Sequence, residues 1–168
     1  IKNCYALANV TATATATATG VIAGGIAGYY CSNFTIENCY YSGRVSVSDY
    51  AGGIAGSANT GTIQNCVSLA ESVSGSDYVN RIAGGIFGAN LTKNHSYNRT
   101  QLVIDGKITY ADTDNADTAV GKNVFVSAGR VMTDVPNQTL FNWVKNGFTE
   151  ANGWSISAKT GLPYLRED

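Results

Sequence analysis

One phrase recurs along this chain: an Asn-Cys pair, a stretch alternating valine with hydroxyl residues, and then Gly-Gly-Ile-x-Gly. The copies run from Asn3-Cys4 to GGIAG at 24–28, from Asn38-Cys39 to GGIAG at 52–56, and from Asn65-Cys66 to GGIFG at 84–88. A fourth, decayed copy opens at Asn94-His95. Successive Asn residues are 35, 27 and 29 positions apart (3, 38, 65, 94). A unit of that size cannot bury its own apolar face, so the repetition implies stacked units sharing one continuous core.

The spacing inside each copy separates frame from loop. The step from the first Gly of the pair to the next Asn is 14, 13 and 10 residues (Gly24 to Asn38, Gly52 to Asn65, Gly84 to Asn94). From Asn to the following pair it is 21, 14 and 19 (Asn3 to Gly24, Asn38 to Gly52, Asn65 to Gly84). The slack sits in the alternating Thr/Ala run at 11–19 and in 75–81, and insertions of this kind collect on one rim of a stack, where loop entropy is cheap.

Local chemistry favours strands. Charged residues are 14% of the chain, with 19 Gly and only 2 Pro. Helix formers are therefore scarce and turn formers abundant. In one complete copy, 35–40 reads as a short strand, Ser42-Gly43 as a turn, Arg44 to Ser48 as a half-buried strand of period two, and 51–56 as a third strand with close backbone approach at a corner. The expected fold is all-β: a right-handed parallel β-helix of about four coils, each about 4.8 Å from the next, over 1–130, with a small C-terminal α/β cap over 131–168.

Stacking predicts ladders. Val10, Val45, Val73 and Leu102 should point inward, as should Ala12, Val47, Gly75 and Ile104, while Thr11, Ser46 and Ser74, and Thr13, Ser48 and Ser76, form outward hydroxyl columns. Cys4, Cys39 and Cys66 should stack as small buried thiols, and Gly25, Gly53 and Gly85 should recur at one tight place. Tyr5 and Tyr40 should stack, and so should Tyr50 and Tyr78, each of which ends a Ser-Asp-Tyr triplet.

Sharper chemistry fits poorly. Cys4, Cys39 and Cys66 with His95 at the fourth place offer Cys3His ligand types, but four ligands spaced about 4.8 Å along a line cannot converge on one zinc ion. A disulfide between ladder neighbours is conceivable in geometry, and Cys31, outside the ladder, has no evident partner. His95, the single histidine, occupies a repeat position, which leaves no separate base for a nucleophile. Asp105, Asp112, Asp114 and Asp117 lack the glycine and glutamate of a calcium loop and read as a solvated turn. An ice-binding face would need the threonine rank of 11–19 on neighbouring copies, which carry only two serines each. No catalytic residue, metal site or cofactor is predicted. A net charge of −1 excludes the electrostatic signature of nucleic-acid binding, and no apolar run reaches the roughly 20 residues of a spanning helix.

The repeated GGIAG or GGIFG and the T-I-x-N-C motif resemble the GLUG repeat, with Ile54 and Ile86 where leucine is usual. The tail, with Trp154 and Gly161-Leu162-Pro163-Tyr164-Leu165, is similar to the ending that often follows such repeats. The resemblance covers about 1–100 and 131–168. It implies a bacterial surface or secreted protein and assigns no reaction. Because the chain opens inside a repeat, at Ile1-Lys2-Asn3-Cys4, we expect a piece of a longer protein with its export signal upstream.

At the C-terminus, Asp134-Val135-Pro136, Leu140, Phe141 and Val144, ending at Lys145-Asn146-Gly147, read as a short amphipathic helix. Trp143, Phe148, Trp154 and Leu162 should form the small core of a cap over the last coil.

The functional expectation is a non-catalytic extracellular stalk or adhesion module, a monomer or part of a longer chain, meeting a host glycan or protein. The alternatives are a carbohydrate-binding module whose exposed Tyr50 and Tyr78 face the ligand, or an accessory domain of a secreted peptidase or polysaccharide-active enzyme.

Overall fold

The computed structural model describes residues 1–14, 20–29, 33–97, 99–109, 122–124, 126–127, 130–131 and 142–166. The described chain is all-β, built from short strands laid down in successive passes. The first pass holds β1 (Tyr5–Ala6), β2 (Val10–Thr11), β3 (Ile22–Gly24) and β4 (Phe34–Glu37). The second holds β5 (Tyr40–Tyr41), β6 (Arg44–Ser46), β7 (Tyr50–Gly52), β8 (Ala55–Ala58) and β9 (Gly61–Gln64). The third holds β10 (Val67–Ser68), β11 (Ser72–Gly75), β12 (Val79–Asn80), β13 (Ala83–Ile86) and β14 (Asn90–Thr92). The fourth begins with β15 (His95–Tyr97) and β16 (Gln101–Ile104).

Each strand pairs in parallel with its counterpart one pass away. The sheets run β1-β5-β10-β15, β2-β6-β11-β16, β3-β7-β12, β8-β13 and β4-β9-β14. A parallel pair needs a long crossover, and here the rest of one pass supplies it. Between the last strand of one pass and the first of the next, the chain turns through a left-handed residue: Asn3 (φ 52), Asn38 (φ 52), Asn65 (φ 53) and then Lys93 (φ 54). Asparagine tolerates this conformation far better than most side chains. That explains the first half of the Asn-Cys pair.

The predicted rank of Val10, Val45, Val73 and Leu102 and the hydroxyl column beside it form. Val10 pairs with Val45, Val45 with Val73 and Val73 with Leu102, and the last three are buried. Ile36, Ile63 and Leu91 make a second inward rank. Burying such side chains contributes about 1.5–3 kcal/mol each. Thr11, Ser46 and Ser74 align as an outward column. Tyr5 stacks on Tyr40 with rings 5.2 Å apart and 5° from parallel.

Two registers differ from the sequence expectation. Val67 pairs with His95 and Gln64 with Thr92, so Lys93 takes the asparagine corner, Asn94 the cysteine place, and His95 the outward place of Tyr5, Tyr40 and Val67. His95 is therefore not the fourth member of the cysteine ladder. Ala55 pairs with Ala83 and Ser57 with Gly85, which sets GGIFG four positions late against GGIAG. The counterpart of 52–56 is Asn80-Arg81-Ile82-Ala83-Gly84, because Ile82, buried like Ile54, must fill the same core site. Gly85 thus does not share a place with Gly25 and Gly53.

After β16 the chain reverses at Asp105 (φ 49) and Gly106 (φ 75) into β17 (Lys107–Thr109), which pairs antiparallel with β16. Asp-Gly with both φ positive is the favoured two-residue hairpin turn. Asp105 serves that turn, whereas Asp112, Asp114 and Asp117 lie outside the described residues, as do Cys31 and the threonines at 15–19. Farther on, β18 (Lys122–Val124) adds in parallel to β15, and β19 (Val126–Ser127) pairs antiparallel with β20 (Arg130–Val131).

The C-terminal residues pack elsewhere than expected. Val144–Asn146 and Glu150–Asn152 are single 3-10 turns, and β21 (Trp154–Ile156) pairs antiparallel with β22 (Pro163–Leu165). The first part of the predicted helix, 134–141, lies outside the described residues. Trp143, Phe148 and Trp154 bury themselves against Tyr40, Val67 and Leu69, on the outer flank of the first sheet. The Tyr40 hydroxyl donates to the Pro163 carbonyl at 2.8 Å, and Gly147 sits over the Asn38 side chain. The described segment is thus a clamp along the flank of the first three passes, because that flank carries the aromatic ladder.

Candidate functional site

The cysteine ladder is structural in its contacts. Cys39 and Cys66 are fully buried, and each thiol donates to the carbonyl two residues earlier, Cys39 to Glu37 and Cys66 to Gln64, both at 3.2 Å. Cys4 does the same toward Lys2 at the first pass. Burial pushes the Cys66 thiol well above its ordinary range, which disfavours the nucleophilic thiolate. The backbone rungs run Tyr40 N–H to Cys4 O, Val67 N–H to Cys39 O and His95 N–H to Cys66 O. At the fourth pass, buried Asn94 accepts from the Cys66 N–H and donates to the Ile63 carbonyl at 2.8 Å. Among the described residues, no group of three or more His, Cys, Asp or Glu gathers where it could hold a metal ion.

Glycine is needed at Gly25 and Gly53 for space rather than for φ. A Cβ on Gly25 would lie 2.1 Å from the Tyr41 ring, and one on Gly53 2.2 Å from the Arg81 carbonyl oxygen. Gly85 does a different job. Its Cβ would stand 2.6 Å from the Phe87 ring and 3.4 Å from the Tyr50 ring, so its absence lets Phe87 lie beside Tyr50.

That seat belongs to an outward groove. Tyr50 and Tyr78, equivalent on neighbouring passes, meet edge to face with centroids 4.7 Å apart and planes at 74°. Phe87 approaches Tyr50 at 6.3 Å with only 30° between planes, and Tyr78 at 5.8 Å. Tyr29, Tyr78 and Phe87 are exposed, an unusual concentration of large apolar surface for a water-facing rim. Tyr29, Tyr50 and Phe87 line a trough of about 560 Å³, together with Asp49, Asp77, Ser57 and Asn59.

The polar side is organised by the stack. Asp77 follows Asp49 one pass later, its N–H donating to the Asp49 carbonyl at 3.3 Å. One Asp49 carboxylate oxygen accepts the Val21 N–H at 2.7 Å, fixing the side chain. Partial desolvation, followed by the Asp77 carboxylate, the Tyr78 phenol and the Asp49 carboxylate, raises the Tyr50 phenol above its ordinary value. The groove therefore presents flat aromatic surface, hydrogen-bond acceptors and a negative field.

The sequence brought Tyr50 and Tyr78 forward but not their companions. The Ser-Asp-Tyr repeat carried Asp49 and Asp77 in plain view, and the phenylalanine of GGIFG was the odd bulky residue in a small-residue motif. Tyr29 had no such signal. Two other hollows are less organised. One of about 200 Å³ opens at the first pass among Ile1, Ala27, Phe34 and Ile36, and another lies between Tyr5 and the β21–β22 hairpin. Comparison of the chain with protein-family models, with curated proteins and with solved structures finds no match.

Proposed function

We propose that this chain is a non-catalytic stalk and adhesion module of a larger, exported bacterial surface protein. On this reading its stacked passes are about four coils of a right-handed parallel β-helix related to the GLUG repeats. The register of the ladders, the Asn-Cys corners and the parallel pairing in five sheets support the β-helix reading. No helix among the described residues is long and apolar enough to cross a membrane.

The observation that carries adhesion is the exposed aromatic trough, built across three passes by Tyr29, Tyr50 and Phe87. A spacer alone has no need to keep such rings in water. The test couples the protein to beads and measures adherence to cell surfaces and to glycan-coated and protein-coated layers. Adherence that drops for the double variant Tyr50→Ala, Phe87→Ala supports the module. Beads that adhere to nothing, or that adhere equally with the double variant, overturn it.

A further inference from the structure

We propose that the groove takes a non-acidic oligosaccharide, one sugar ring lying against Tyr50 and Phe87 while its hydroxyls donate to Asp49 and Asp77. The inference rests on the adhesion reading and adds the chemical class of the ligand.

Three features of the groove carry it. The first is the pairing of surfaces. A pyranose offers an apolar C–H face on one side and a rim of hydroxyl donors around it, and the trough offers aromatic rings together with fixed acceptors. Asp49 is already pinned by the Val21 N–H through one oxygen, which leaves the other oriented and available. Asn59 adds an amide that both donates and accepts.

The second is the sign of the field. Two carboxylates line the trough and, among the described residues, no lysine or arginine does. Sugars bearing carboxylate or sulfate would meet like charge at close range, so the same residues that accept hydroxyls exclude acidic chains.

The third is shape. The trough runs across three passes, from Ile22 and Tyr29 through Asp49 and Tyr50 to Asp77 and Phe87. A volume of about 560 Å³ falls within the range of ligand sites and has room for more than one sugar ring. The Tyr50 and Phe87 rings stand 30° from parallel with centroids 6.3 Å apart, so a flat sugar face can lie along both. An ammonium cage would need faces converging on one point.

The experiment is titration of the purified chain, by calorimetry and saturation-transfer NMR, with neutral gluco-, manno- and N-acetylglucosamine oligosaccharides, with oligogalacturonate, and with tetramethylammonium. At least one neutral series should bind, with oligogalacturonate and tetramethylammonium far weaker. Tyr50→Ala and Asp77→Asn should each weaken binding about tenfold or more, while Ser46→Ala, on the hydroxyl column away from the groove, leaves it unchanged. Circular dichroism confirms that the variants fold. No binding by any neutral series, a preference for the acidic chain or the ammonium ion, or binding indifferent to both groove variants overturns the proposal. Beads whose adherence survives periodate oxidation of the target, yet falls with the double aromatic variant, overturn the sugar assignment while leaving the adhesion module standing.

Discussion

Gly53→Ala adds one methyl group where the stack has no room for it. The new Cβ would lie 2.0 Å from the Ser68 hydroxyl oxygen, 2.9 Å from the Ser68 Cβ and 2.2 Å from the Arg81 carbonyl oxygen. The serine hydroxyl can rotate away, but the carbonyl belongs to the backbone of the next pass. Relief therefore requires the two passes to part locally, which disturbs the Ile54 N–H to Ile82 carbonyl bond of 2.8 Å beside it. Overpacking of this kind costs about 1–3 kcal/mol, and the backbone contact places Gly53→Ala at the upper end. For a chain of this size that lowers Tm by roughly 6–12 °C. Gly106→Ala is the control: its φ is +75 and nothing lies within 4 Å of its Cβ, so only left-handed backbone strain of about 1 kcal/mol is added. Paired thermal melts followed by circular dichroism compare the two. A Gly53→Ala chain as stable as Gly106→Ala would refute the claim that close approach between passes, not backbone conformation, requires glycine at this corner.

Lys93 holds the left-handed corner that asparagine holds at 3, 38 and 65, so Lys93→Asn should stabilise the chain by about 0.5–1 kcal/mol, read as a raised urea midpoint. Trp154, 1% exposed in the flank clamp, should cost about 3–5 kcal/mol on truncation to alanine, whereas Tyr40→Phe, which removes only the hydrogen bond to Pro163, should cost about 0.5–1.5 kcal/mol. Both are measured by chemical denaturation, and a clamp that merely rests on the surface would give neither. Burial pushes the Tyr41 phenol up to about 12 from 10.0. The unfolded chain therefore releases this proton first, and stability present below pH 10 falls progressively toward pH 12. Urea midpoints across that window should decline less steeply in Tyr41→Phe, and an unchanged slope would contradict the buried phenol.

The sequence by itself determined the stacking and its inside. Val10, Val45 and Val73 are each followed by a hydroxyl residue (Thr11, Ser46, Ser74) in a period-two pattern, and only one face of such a strand can be buried, so the inward rank that ends at Leu102 was readable without coordinates. The same holds for the Tyr5–Tyr40 pair and for the cysteines, whose neighbours Asn3, Asn38 and Asn65 announce a left-handed corner. The tertiary structure alone decided the register of the later copies. Gly-Gly-Ile-x-Gly is short enough to match at more than one offset, and what selects the offset is whether Ile82 or Ile86 enters the core beside Ile54; Ile82 is buried and Ile86 is exposed. With that choice Arg81 replaces a glycine, Gly85 becomes the seat of Phe87, and the rings of Tyr50 and Phe87 come together. The groove was illegible for the same reason: Tyr29, Asp49 and Phe87 are 58 positions apart from first to last (29 to 87) and meet only because successive passes are superposed. The flank clamp, too, needed coordinates, since apolar residues near a C-terminus say that something is buried there, while the surface that buries them is set by the aromatic ladder the first two passes have already built.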